Sequence, residues 1–517
     1  MSTTVYTLVD AVALILLAYL IRSYLAKRHN LSNLPLPPGP KPLPILGNLR
    51  NVPKAYPWKV FKVWKSLYGN DESGDISSIR LPGETIIIIN SARLAREVLD
   101  KHGSIYSDRP PFPMFDLIGQ TDFNLPFKRY GPEWRAERKI AEFALRPGAL
   151  PDYHGVLERK ACTLLTSVLS QPLDYPLHLR DYSTGIILSA TYGYELQGPE
   201  DHYVTLADEI GRQCVHMADH GAVIVNSLPF LKWLPGWIPG MGFQNLVRDT
   251  KALVDEMVHG PFDFCKAEMA RGSSHPSIVR KQLEEHQNVA TLDQERAIRN
   301  AAASMYTGTL QTASSLWTLL LVLVLHPSIQ KHAQEEVDNL CRRERLPTVA
   351  DRPNLPYCEA LCKELLRWAP ITPLGVAHVS TEDSIINGYF IPKHSQIIHD
   401  EDIYNDGDSF LPERFLNSEG KLRDEAYSST VFGYGRRICP GRYLAQLSIW
   451  LATVSLLSCF EASHAKDDLG ENIPVSADYT DGLIVHPVPF KYALRPRGDW
   501  AVRLIHSIID DERASDA

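Results

Sequence analysis

Phe432-Gly433-Tyr434-Gly435-Arg436-Arg437-Ile438-Cys439-Pro440-Gly441-Arg442 is the stretch on which the fold turns. It sets one cysteine among glycines and arginines, just ahead of an apolar helical run from Tyr443 to Leu457. A cysteine at a helix N-terminus beside positive charge is expected to have a lowered pKa, because dipole and guanidinium both stabilise the thiolate. Gly435 and Gly441 let the backbone approach something flat and bulky. Backbone N–H groups around the sulfur can tune its electron donation. A buried structural cysteine in a glycine-rich turn would read the same way, so other parts of the chain decide the matter.

Lys363-Glu364-Leu365-Leu366-Arg367 puts a carboxylate and a guanidinium three residues apart, on one helix face. Pro412-Glu413-Arg414-Phe415 follows nearer the loop, and Trp134-Arg135-Ala136-Glu137-Arg138 lies far upstream with Trp and Arg four apart. Composition sets the bounds. The 517 residues are 44% hydrophobic and 22% charged, ordinary for a folded protein, so wholesale disorder is excluded. A net charge of −8 argues against generic nucleic-acid binding, which needs a basic surface. Eight cysteines in this length, with no CxxC, fit neither a disulfide scaffold nor a zinc finger. Cys358 and Cys362 read as small core residues.

Helical periods dominate from about residue 91 to 370, including Pro132 to Leu145, Leu157 to Ser170, Tyr203 to Ala218 and Asn245 to Ala270. Asp75 to Asn90 reads as two strands around Leu81-Pro82-Gly83, and short strands and loops return after residue 370. Asn300 to Gln330 contains no Asp, Glu, Lys or Arg. It could span a bilayer, but its Ser, Thr and Gln favour a long helix buried within the protein.

Phe432, Gly435, Arg437, Cys439 and Gly441 together resemble the F-x-x-G-x-R-x-C-x-G loop of the cytochrome P-450 superfamily. Glu364 and Arg367 resemble its E-x-x-R helix, Arg414 the arginine of its P-E-R-F segment, and Trp134 with Arg138 its W-x-x-x-R helix, all in the family's order. The resemblance implies a mainly α, haem-thiolate fold with a minor β region. It implies haem b, with Cys439 as the iron ligand. Trp134, Arg138, Arg437 and His378 would hold the haem propionates, and Glu364, Arg367 and Arg414 would form a buried ionic triad.

The same resemblance organises the ends. Residues 1–28 read as an N-terminal membrane anchor, since positive charge follows rather than precedes the apolar stretch. Residues 29–54 are proline-rich and read as a stiff, extended hinge. Residues 55–517 form the catalytic domain. The location implied is the endoplasmic reticulum, with the body in the cytoplasm.

Two departures stand out. The family's central helix carries an acid and a threonine that deliver protons for O–O cleavage. Here the run is Thr307-Gly308-Thr309-Leu310-Gln311-Thr312. Leu310 carries no proton, Gln311 replaces the threonine, and Thr312 is one residue late, about 100° around the helix. Thr309, Gln311 and Thr312 are the remaining catalytic candidates. The second departure follows Lys393, where His394-Ser395-Gln396-Ile397-Ile398-His399-Asp400 lacks the family's N-x-W segment. Losing part of that strand would leave its neighbour's backbone unpaired.

The expected pocket draws on 110–127, 204–230, 305–311, 371–376 and 479–484. Phe112, Phe115, Leu117, Phe123, Leu374 and Leu483 make it apolar, which suits a lipophilic small molecule. The implied function is a monooxygenase that hydroxylates or epoxidises such a molecule in secondary metabolism. Its partners would be O2, NADPH-cytochrome P-450 reductase and membrane lipid, with no nucleic acid. A haem-thiolate isomerase or dehydratase without a reductase, and a catalytically impaired haem-binding homologue, remain alternatives.

Overall fold

The isoleucine run ending at Ile89 forms the middle of a sheet. In the computed structural model, β1 (Ile76–Leu81) and β2 (Glu84–Ile89) make the expected antiparallel hairpin. β3 (His378–Val379) and β6 (Gln396–His399) complete the sheet in the order β1-β2-β6-β3. The structure describes residues 33–68, 74–198, 200–218, 224–227, 229–234, 238, 242–273, 275–285, 292–399, 406–423 and 430–515. The expected anchor at 1–28 lies outside the described residues, as does Asp400.

The chain divides into two compact units. One comprises the residues up to Pro110, Leu374–Asn405 and Tyr434–Arg437. Its sheet is apolar on both faces, which explains why β2 does not alternate. Ile87 and Ile89 pack with Leu94, Val98, Ile397 and Tyr434. Ile88 packs on the opposite face with Phe61 and Trp64 of helix α1 (Pro57–Tyr68). Leu374, partly buried, packs against this second cluster. β4 (Ser384–Ile386) and β5 (Tyr389–Ile391) form a separate hairpin.

The strand after Lys393 is present. β6 pairs in parallel with Ile86–Ile89 of β2 and antiparallel with β3. The expected unpaired neighbour is therefore not found among the described residues.

The proline-rich stretch is not a free connector over its described part. The Pro38 carbonyl accepts from Ser78 N at 2.8 Å, and the Pro35 carbonyl from Phe390 N at 2.8 Å. Gly39 sits so close to β1 that a Cβ there would lie 2.0 Å from the Ser78 carbonyl oxygen.

The second unit is helical. Its frame comprises α2 (Pro132–Leu145), α3 (His154–Ser170), α4 (Tyr175–Tyr192), α5 (His202–Ala218) and α6 (Phe243–Ala270). It continues with α7 (Leu292–Tyr306), α8 (Thr309–Leu325), α9 (Pro327–Cys341), α10 (Pro356–Trp368) and α11 (Arg442–Cys459). α12 (Asp499–Ser515) was not anticipated, although Ala501 and Ile505 mark its buried face. β7 (Phe460–His464) and β8 (Tyr492–Pro496) pair between α11 and α12. Cys358 and Cys362 are core residues, as expected.

Leu292–Leu325 is apolar and long enough to cross a membrane, yet Leu316 and Leu319 to Val324 are all buried within the protein. α8 packs on α4 and α11, which supports the buried-helix reading. The run is broken at Thr307–Gly308. Thr307 Oγ1 donates to the Ser304 carbonyl at 2.8 Å, and Gly308 N bonds three residues back to Met305 O at 3.0 Å. A side-chain back-bond and a tightened turn beside a glycine are enough to interrupt a helix.

Candidate active site

Cys439 sits one turn before α11 in the second unit. Its N–H donates to the Phe432 carbonyl at 2.8 Å, which closes the loop, and its own carbonyl accepts from Arg442 Nη1 at 2.9 Å. Gly441 caps α11, and a Cβ there would lie 3.8 Å from both Cys439 Sγ and Leu145 Cδ1. The expected lowered pKa is not found. Desolvation pushes the thiol up, and this outweighs the Gly441 N–H and the Arg138 and Arg442 charges, which pull it down. Such a sulfur gains its thiolate character from a bound metal, since a metal ligand must shed its proton.

Trp134 and Arg138 lie on α2, whose inner face is Trp134, Glu137, Ala141, Ala144 and Leu145. Trp134 Nε1 donates to the Leu125 carbonyl at 3.2 Å. The Arg138 guanidinium lies 5.9 Å from the Trp134 ring centroid, and its Nε pairs with Glu142 at 2.6 Å. That bond braces the segment before α2, and Trp134 and Arg138 share one helix face as their spacing predicts.

Glu364, Arg367 and Arg414 meet as expected. Arg367 grips the Glu364 carboxylate through Nε at 2.6 Å and Nη2 at 2.8 Å. Arg414 Nε lies 3.1 Å from both carboxylate oxygens, and Leu411 N donates at 2.7 Å. The guanidiniums also fasten the intervening loop, at Gly407 O and Ser409 O from Arg367 and at Asp406 from Arg414.

In the first unit, Arg437 is buried and its Nε donates to Ser107 O at 2.7 Å. His378, also buried, has Nδ1 2.7 Å from Tyr106 O. Beside them stands Arg109, which the sequence reading missed. It is 4% exposed, and its Nη1 bonds Val376 O at 2.6 Å and Ala377 O at 2.9 Å. Its Nε is buried without a hydrogen-bond partner among the described residues. Burial lowers the Arg109 pKa well below its ordinary value, and the Arg437 charge adds to this against Asp108. Two neighbouring buried guanidiniums, one with an unsatisfied N–H, form a donor set for a carboxylate-bearing group. The two propionates of a haem fit that donor set. The available signal for Arg109 was a charge set between apolar Tyr106 and the Pro110-Pro111 pair.

Gly435 has φ +55°, and a Cβ there would lie 2.1 Å from the Leu99 carbonyl oxygen. Its N–H donates to Asp100 Oδ1 at 2.5 Å. Gly435→Ala combines a left-handed backbone with a clash against main chain, together costing about 2–5 kcal/mol. The expected result is a sharply reduced haem-loaded fraction on expression, read from the ratio of Soret absorbance to total protein.

On the central helix, Thr309 Oγ1 and Gln311 Oε1 are buried and have no hydrogen-bond partner among the described residues. Thr312 is half-buried. Leu310 faces α5, where a Cβ on Gly211 would lie 2.5 Å from its Cδ1. The acid position has become a packing contact. Nearby, Phe112, Phe115 and Phe127 form an aromatic cluster with centroids 4.7–5.8 Å apart.

A sequence model described as Cytochrome P450 matches residues 37–494. Cytochrome P450 monooxygenase COX1 of Coprinopsis cinerea is 36% identical over 510 residues, covering 95% of this chain and 97% of that protein. Cytochrome P450 monooxygenase claR of Ampulloclitocybe clavipes is 35% identical over 528 residues, covering 100% and 96%. Cytochrome P450 monooxygenase ppsD of Aspergillus oryzae is 35% identical over 488 residues, covering 92% and 91%. Matches of this extent, on a mainly helical structure whose thiol loop and ionic triad are in place, leave one assignment: the chain belongs to the cytochrome P450 family.

Proposed function

We propose that this haem-thiolate monooxygenase oxidises a lipophilic metabolite, by hydroxylation or epoxidation, in secondary metabolism. The observation that carries the reading is the Cys439 loop, closed by Cys439 N on Phe432 O and set just before the N-terminus of α11. Bound haem supplies the iron at which dioxygen is reduced and split. Cys439 would hold that iron. Arg109, Arg437, Arg138 and His378 would neutralise the propionates. The Phe112, Phe115 and Phe127 cluster would exclude water and offer ring faces to an apolar substrate. Thr309 and Gln311 bring unsatisfied polar atoms that can accept or orient a proton donor.

Electrons would come from a membrane-bound NADPH-dependent flavoprotein reductase, docked by Arg436 and Arg442. Residues 1–28 would anchor the chain in the endoplasmic reticulum membrane, with 29–54 as the hinge and 55–517 as the cytoplasmic body.

The test is a carbon monoxide difference spectrum of the reduced protein in membranes, followed by turnover with NADPH and reductase. A thiolate-type band with NADPH-dependent oxygen incorporation into lipophilic probes supports the reading. Hydrogen peroxide is expected to account for part of the NADPH consumed, because the Leu310-Gln311 pair brings neither an acid nor a hydroxyl to the oxygen site itself. Gln311→Thr is expected to lower that peroxide share at least about twofold, since it restores a hydroxyl at the oxygen site. Leu310 also favours a second reading, a haem-thiolate isomerase. Rearrangement of a hydroperoxide without NADPH, and no NADPH-dependent product, would establish it instead.

A further inference from the structure

A buried carboxylate stands on α2, the helix packed against α7. Glu137 of α2 is 2% exposed. Its Oε1 accepts from Lys128 Nζ at 2.7 Å and from Asn300 Nδ2 of α7 at 2.9 Å. Its Oε2 is buried with no hydrogen-bond partner among the described residues. Burial raises its pKa, opposed by hydrogen bonds from Lys128 and Asn300 and by the Lys128 charge, while Glu133 raises it further. A carboxyl so placed holds a proton more readily than one in water.

On the outer side, Lys128 Nζ also reaches Glu133 Oε2 at 3.2 Å, and the Glu133 side chain is 64% exposed. On the inner side, Asn300 starts a polar row. Asn300 and Ser304 share one face of α7, and Thr307 follows directly after its last residue, Tyr306. Ser304 Oγ accepts from Leu125 N at 3.0 Å and lies 3.5 Å from Asn124 Oδ1. Thr307 Oγ1 lies 3.3 Å from the same Asn124 oxygen. Thr307 is the last residue before Gly308, and Thr309 and Gln311 follow with their buried, unsatisfied oxygens. A structural ion pair would account for Glu137 and Lys128. It would not account for an orphaned carboxylate oxygen or for a buried polar row leading to the helix break.

We propose that Glu137 is the proton reservoir for oxygen activation in this protein, and that Asn300, Ser304, Asn124 and Thr307 line the path from it to the oxygen site. In the family's reaction the O–O bond breaks, one oxygen enters the substrate, and the other leaves as water with two protons. NADPH supplies two electrons through the reductase. The path supplies the protons, and Glu137 is recharged from solvent past Glu133 and Lys128. Glu137 acts through other groups, so it is a positioning and relay residue.

The test rests on the haem-thiolate reading, and the carbon monoxide band checks that reading separately. NADPH with reductase, and hydrogen peroxide alone, are each used to drive oxidation of 7-ethoxycoumarin by the haem-loaded protein. The NADPH reaction draws two protons through the path; hydrogen peroxide brings both protons of its departing water and draws none. Glu137→Gln and Ser304→Ala are each expected to slow the NADPH-driven reaction about tenfold or more, with the peroxide-driven reaction held within about twofold. The infrared difference spectrum between acid and neutral pH should show a carboxyl titration that Glu137→Gln removes and Ser304→Ala keeps. Unchanged NADPH-driven rates, parallel losses with both oxidants, or no lost carboxyl titration would each overturn the proposal. Should Glu137→Gln fail to load haem, Ser304→Ala, which leaves the Lys128 pair intact, decides alone.

Discussion

Glu364→Gln is expected to give no haem-loaded protein. The Glu364 side chain is fully buried, and its two oxygens take hydrogen bonds from Arg367, Arg414 and Leu411 N. The amide keeps the volume but removes the charge, and it turns one acceptor into a donor facing two guanidiniums. Breaking a buried pair by removing one partner costs about 3–5 kcal/mol, because the remaining charge is left uncompensated. A native domain has only about 5–15 kcal/mol in hand. The loss is also local to a structural joint, since Arg367 and Arg414 tie Asp406, Gly407 and Ser409 to α10. The measurement is the carbon monoxide difference spectrum normalised to immunodetected protein. A thiolate band of wild-type amplitude would refute the structural role given to the triad. Glu364→Asp should fail similarly, because a side chain one methylene shorter cannot reach both arginines and Leu411 N from α10.

Cys439→Ser is expected to remove the thiolate-type band and reduce turnover by more than about 100-fold, since losing even an outer-shell partner of a metal ligand costs 10–100-fold. The effect should be specific to the sulfur. Ser keeps the size of the side chain, and the loop is closed by backbone bonds, Cys439 N to Phe432 O and Arg442 Nη1 to Cys439 O, which the substitution leaves alone. The apoprotein should therefore fold with an unchanged far-ultraviolet circular dichroism spectrum. Retention of the thiolate band in Cys439→Ser would reassign the iron ligand to another of the cysteines.

The parts of this site that were legible in the sequence are those where chemistry is carried by fixed spacing. The loop around Cys439 and the Glu364–Arg367 pair depend on local geometry, so a short stretch of text contains them. The β1–β2 hairpin was legible for the same reason, with Leu81-Pro82-Gly83 between two strand-like runs. Arg109 was not, because its significance comes from Arg437, far away in the chain. The Cys439 pKa was misjudged since charge and helix dipole are visible in sequence, whereas desolvation is a property of packing. The break at Thr307–Gly308 hid inside an apolar run whose hydrophobicity continues past it. Glu137 looked like one more charged residue in an α2 motif until Asn300 and Lys128 closed around it.

The proline run against β1 has a consequence for handling the protein. β1 is one of the two outer strands of its sheet. Its backbone is covered by Pro38 O on Ser78 N and by Asn48 on both the N–H and the carbonyl of Arg80. An uncovered outer strand is a template for another chain, and prolines lack the N–H needed to pass the ladder on. The segment from Pro35 to Asn48 is therefore a built-in guard against self-association. Trimming the chain for solubility can stop ahead of Pro35; cutting into the guard would expose an aggregating sheet edge.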